Sequence, residues 1–118
     1  MRHRIVVLLM AGAFVFAAAN TALAASVSHV SLGYNASTSH FNGRVRSPNA
    51  ECVAHRTVKV FRRTSSGPKL QGMTSTGAMG GWSIDVMHPH GMYFAVAVRQ
   101  TIMSSTCERA VSRVVDVM

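Results

Sequence analysis

The chain has 118 residues, 12 Lys and Arg against 4 Asp and Glu, a formal net charge of +8, and 48% hydrophobic residues. That length suffices for one small domain with a single core. So few carboxylates leave little material for acid–base catalysis, and beyond the N-terminus no segment is apolar enough to span a membrane.

Residues 1–24 are expected to be a secretory signal peptide. Arg2 and Arg4 open it, an apolar run follows from Ile5 to Ala19, and Ala22-Leu23-Ala24 supplies an A-x-A cleavage site. The cut is expected after Ala24 or one residue later. The run falls short of the about 20 apolar residues of a spanning helix, which is the alternative reading. Residues 25–118 then form the mature domain, in which 12 − 2 = 10 basic residues face 4 acidic ones, a charge of about +6.

In the mature domain the apolar pattern has period two. His29-Val30-Ser31-Leu32-Gly33-Tyr34, Phe41-Asn42-Gly43-Arg44-Val45-Arg46, Thr57-Val58-Lys59-Val60-Phe61 and Trp82-Ser83-Ile84-Asp85-Val86 each alternate as a half-buried strand does. Turns are expected at 35–39, at Ser47-Pro48-Asn49, at Ser65-Ser66-Gly67-Pro68, between Thr76 and Gly81, and at Pro89-His90-Gly91. Met92 to Val98 is apolar on both faces, as suits a central strand covered twice or one whose outer face meets a partner. The last strand, Arg109 to Val117, loses its alternation near Arg113, where a bulge would fit. These spacings predict an all-β fold, a sandwich or barrel rather than an α/β protein.

Cys52 and Cys107 are the only cysteines. In an exported chain an isolated pair is expected to be a disulfide, and closing a loop of about 56 residues would stabilise the fold by roughly 4 kcal/mol. Without a C-x-x-C spacing or a third cysteine, a redox pair or a thiolate metal site is the weaker reading. The bond would also draw Glu51 and Glu108 together. Paired carboxylates can do acid–base work, but ion pairing with His55, Arg56 and Arg109 explains them more simply.

Arg44, Arg46, Arg56, Lys59, Arg62, Arg63 and Lys69 are expected to present a basic surface spread over strands and a loop. It would attract anionic polymers, with binding that weakens as salt rises. Aromatic residues do not interleave with these charges, so no specific nucleic-acid partner is implied; Trp82 reads as core. Met87-His88-Pro89-His90-Gly91-Met92 offers a second chemistry, because two imidazoles flanked by two thioethers could hold copper. Pro89 and Gly91, however, are what a connection between strands needs.

The order Phe41-Asn42-Gly43-Arg44-Val45, Cys52, Arg56 to Arg62, Thr76 with Gly80-Gly81-Trp82-Ser83-Ile84, Gly91-Met92-Tyr93-Phe94-Ala95, Cys107 resembles small secreted bacterial domains of the transthyretin-like, or carboxypeptidase-regulatory-like, β-sandwich type. The resemblance implies a single small antiparallel β-sandwich, transthyretin-like or Ig-like, of about seven strands. That family usually carries an acidic residue after the threonine; here Gly77 follows Thr76. Transthyretin-like hydrolases are similar in architecture but end in Tyr-Arg-Gly-Ser, whereas this chain ends Val115-Asp116-Val117-Met118, so the resemblance transfers no catalytic residue.

The function expected from these features is that of a secreted or extracytoplasmic, non-catalytic binding or structural module without a cofactor. Its partner would be an anionic cell-envelope polymer or another protein, met through the basic surface or a strand edge. The alternative is copper binding through Met87, His88, His90 and Met92.

Overall fold

The computed structural model describes residues 24–118. The expected signal peptide lies outside them except for Ala24. Eleven strands follow in chain order: β1 (His29–Val30), β2 (Gly33–Asn35), β3 (His40–Arg46), β4 (Thr57–Thr64), β5 (Gly67–Ser75), β6 (Gly81–Asp85), β7 (Gly91–Ala97), β8 (Gln100–Ile102), β9 (Ser105–Cys107), β10 (Ala110–Val111) and β11 (Val115–Val117). The 3-10 turn Ala50–Cys52 is capped by the Asn49 side chain, which accepts from the Glu51 amide. The described residues form an all-β sandwich of antiparallel sheets, as expected.

In the first sheet β3 is central, with β1 and β2 along one side and β6 along the other; in the second the order is β10 and β11, then β7, β4 and β5. Because β1/β2 and β10/β11 each fill one position, the two sheets hold 3 + 4 = 7 strand positions. A small β8–β9 hairpin is added beside them, tied to the N-terminal segment by a parallel bridge between Ser26 and Cys107.

Alternation places Val30, Leu32, Phe41, Val45, Val58, Val60, Trp82, Ile84, Tyr93, Ala95 and Ala97 in one core between the sheets. Burying each large side chain contributes about 1.5–3 kcal/mol. Three rings cross it in a chain, with Tyr34 to Phe41 at 4.9 Å and Phe41 to Tyr93 at 4.7 Å between centroids. The inward face of β7, ambiguous in a strand apolar on both sides, is therefore Tyr93, Ala95 and Ala97. Small residues set the approach of the layers: a Cβ on Gly72 of β5 would stand 2.7 Å from Ile84 of β6.

The β1/β2 and β10/β11 positions are each interrupted at a serine. Ser31 donates its amide to the Arg44 carbonyl and its hydroxyl accepts from the Arg44 amide at 3.0 Å; Ser112 does the same with Ala95, accepting at 2.8 Å. A hydroxyl thus replaces a strand carbonyl in each ladder. The Ser31 carbonyl turns instead onto β3, where a Cβ on Gly43 would lie 1.9 Å from it, so only glycine fits there. Between Val111↔Val96 and Val115↔Tyr93, four steps on one strand oppose three on the other, which is the bulge that the lost alternation near Arg113 predicted.

Two pairings escaped the sequence reading. Strand β5 lies where only a turn was expected, and the turn contracts to Ser65-Ser66, closed by the Thr64 hydroxyl donating to the Gly67 carbonyl at 2.7 Å. Pro68 sits at the exposed edge, where no amide is needed, and the register shifts opposite Val60/Phe61. Strands β8 and β9 have three residues each, too few to show a period.

Candidate functional site

The predicted cystine is present, with Cys52 and Cys107 joined, fully buried and 5.5 Å apart at Cα. Beside it lies the largest departure from the predicted basic surface. Arg56 is not a surface residue: it is fully buried and donates to the Ser28 hydroxyl at 2.7 Å and to the carbonyls of Cys52, Glu108 and Val98 at 2.9, 2.9 and 3.0 Å. Burial pushes its pKa below the ordinary guanidinium value. All four acceptors are neutral, so the cation serves to tie the N-terminal segment, the 3-10 turn, the end of β7 and the end of β9. Thr76, also buried, accepts from the Arg56 amide and donates to the Val53 carbonyl.

Neither glutamate takes the partner expected for it. Glu51 accepts from the Ser105 hydroxyl, and Glu108 pairs with Arg99, not with His55, Arg56 or Arg109. The reason is topological: the β8–β9 hairpin, unseen in the sequence, brings Arg99 and Ser105 up to the cystine.

The remaining six basic residues fall on separate faces. Arg44 and Arg46 project from the outer face of the first sheet and, with His29 and Ser31, line a shallow cleft of about 160 Å³. Arg62 and Lys69 are register partners near the tip of the β4–β5 hairpin, in a cleft of about 430 Å³ with Thr64, Ser66, Gly67 and Pro68. Lys59 and Arg63 share the outer face of the second sheet. Adjacent strand residues point oppositely, which separates Arg62 from Arg63. One continuous basic surface is therefore not formed.

The Met87 to Met92 segment does not connect a hairpin. Strand β6 belongs to the first sheet and β7 to the second, so the segment crosses between layers. The Tyr93 hydroxyl, inside the core, accepts from the His90 amide at 2.9 Å and anchors the crossing. Gly91 has the expected positive φ of 112°, but His88 also enters the left-handed region at 49°. Both imidazoles and both thioethers are exposed, and His88 and Met87 line a cleft of about 340 Å³ with Asp85, Thr38 and Ser39. His40 pairs with Asp85, its register partner on the same sheet face. Among the described residues no three His, Cys, Asp or Glu side chains are grouped closely enough to hold a metal ion.

A different surface emerges from the register. Val111, Val96, Lys59 and Met73 form one row across the outer face of the second sheet, and Phe94, Phe61 and Leu70 form the next. Met92 and Asp116 stand opposite each other beyond these rows. Met73 is 61% exposed, Leu70 and Val111 50% each and Met92 44%, whereas Val96 is 3% exposed and floors the face. Phe61 and Phe94 stack at 5.5 Å, and the Arg63 guanidinium lies 5.9 Å from the Phe94 ring centre. The two-sided apolar character of Met92 to Val98 was the sequence trace of this face; Leu70 and Met73 were missed along with β5. Among the described residues no helix is long and apolar enough to cross a membrane.

Comparisons with family models, with curated proteins and with solved structures find no match.

Proposed function

We propose that this chain is a secreted, non-catalytic binding or structural module of transthyretin-like architecture that attaches to the cell envelope, to one of its anionic components or to a partner protein. The observation carrying this reading is the outer face of the second sheet, where Leu70 and Met73 on one edge, Val111 on the other and Met92 at the start of β7 are exposed around Lys59 and Arg63. Four exposed large apolar side chains sharing one sheet face with two cations suit a contact surface better than a solvated one. The buried cystine is compatible with an oxidising, extracytoplasmic setting.

Sedimentation of the exported protein with washed cell envelopes tests this. Binding is expected to saturate, and to weaken by about tenfold or more in Leu70→Ser/Met73→Ser, whose side chains are exposed and whose loss leaves the core intact. Envelope binding that is absent, or unchanged in that variant, would sink the reading.

The second reading is copper binding at the crossing between the sheets. What supports it is that Met87, His88, His90 and Met92 stay exposed on a segment pinned by Tyr93. Copper(I) titration of the wild type and of His88→Ala/His90→Ala decides it, with micromolar binding expected in the wild type alone; no binding there would end the metal reading.

A further inference from the structure

We infer that the outer face of the second sheet docks flat against an anionic lipid surface, with Leu70, Met73, Met92 and Val111 entering the headgroup boundary while Lys59 and Arg63 meet lipid phosphates. This rests on the proposed envelope attachment and names its partner.

Three properties of the face select that occupant. The first is shape. Its apolar residues belong to the pleated surface of four adjoining strand positions, and none of them lines the clefts of about 340, 430 and 160 Å³ found elsewhere. Protein partners concentrate binding energy in anchors seated in pockets, and a small ligand needs concavity. A bilayer boundary needs neither.

The second is the kind of apolar residue exposed. The aromatic pair Phe61 and Phe94 lies half-buried in the sheet, and the exposed apolar side chains are aliphatic or thioether, three of the four being the flexible Met73, Leu70 and Met92 beside the stiffer Val111. Such chains adapt to a fluid apolar phase without a fitted counterpart.

The third is charge. Lys59 stands in the row between Val96 and Met73, and Arg63 is held over Phe94. Both carry long stems that cover apolar surface while the cationic head reaches outward. Asp116 is the carboxylate on this face, across from Met92 on the outer strand position. With 10 basic against 4 acidic residues after the expected cleavage, the mature chain keeps the surrounding field positive. Facing two copies through this surface would bring Lys59 and Arg63 against their own kind, so a second copy is the poorer occupant.

Vesicle co-sedimentation with protein recovered from cells expressing the full chain tests the inference. Vesicles of equal parts phosphatidylglycerol and phosphatidylcholine are expected to bind at least about tenfold more tightly than pure phosphatidylcholine. Lys59→Gln/Arg63→Gln should remove most of that preference, Leu70→Ser/Met73→Ser should weaken binding to both vesicles, and Arg46→Gln, on the opposite sheet, should change neither. Thermal melts of all variants are expected to match the wild type, because every substituted side chain is outside the core. Equal binding to both vesicles, an equal loss in Arg46→Gln, or no vesicle binding overturns the inference. A concentration-dependent dimer in light scattering that Leu70→Ser/Met73→Ser abolishes would assign the face to a second copy instead. If envelopes bind through this face while acidic vesicles do not, the lipid assignment fails and envelope attachment stands; if neither binds, both fail.

Discussion

Arg56 shows why residue type alone misplaces a side chain. In the sequence it is one of seven bases in a basic, strand-rich segment, and nothing local separates it from Arg62. In the fold it is a buried cation whose two terminal nitrogens donate to one hydroxyl and three carbonyls from four different segments, while its Nε has no partner among the described residues. Replacing it with methionine keeps much of the volume but strands those acceptors, each of which costs about 1–3 kcal/mol when left unpaired. Arg56→Met is expected to lower stability by roughly 3 kcal/mol or more, read as a fall in the urea midpoint at constant slope. Arg56→Lys should recover only part of the loss, since an ammonium cannot span the same fork. A midpoint within experimental error of wild type would show that the network contributes little. Gly43 and Gly80 carry the complementary lesson, because a Cβ there would meet backbone carbonyls at 1.9 and 2.3 Å.

At the scale of the element, strands with an inward apolar face were legible and the others were not. Period two marked β3, β4 and β6 because each buries one face and exposes the other. Strand β5 has no buried apolar face to signal it: Gly67, Pro68 and Lys69 begin it, Gly72 leaves room for Ile84, and Leu70 and Met73 face outward. Proline, lysine and an irregular register are the features that keep an edge strand from pairing further. The serine interruptions are equally specific. Ser112→Ala removes the acceptor of the buried Ala95 amide, and a loss of about 1–2 kcal/mol is expected, with the Ala95 amide exchanging hydrogen faster than its neighbours on β7. Unchanged exchange at Ala95 would mean that the ladder closes without the hydroxyl.

For the whole molecule, methionine placement separates core from surface. All six methionines of the described residues, Met73, Met79, Met87, Met92, Met103 and Met118, are exposed, and the core is built from valine, alanine, isoleucine, leucine and aromatic residues. Oxidation by peroxide makes a thioether polar and disrupts a fold where that thioether is packed inside. Here peroxide treatment is expected to add oxygen to all six, by mass spectrometry, while the melting temperature moves by no more than about 4 °C. A collapse of the cooperative melt would show that at least one of these side chains supports the core. The same treatment should weaken vesicle binding, because Met73 and Met92 lie on the docking face.

Sequence alone determined the all-β class, most of the inward faces and the cystine, since those follow from local alternation, turn residues and a count of two cysteines. It also marked the Met87 to Met92 segment as a connection and the 92–98 strand as apolar on both sides. Tertiary structure decided what shares a face. Burying Arg56, separating Arg62 from Arg63, sending the His88 segment across the sheets and placing Leu70 beside Phe61 all depend on strand pairing between residues far apart in the chain. Pairing register is set by packing of the whole core, and a one-residue change would send every side chain of a strand to the opposite face.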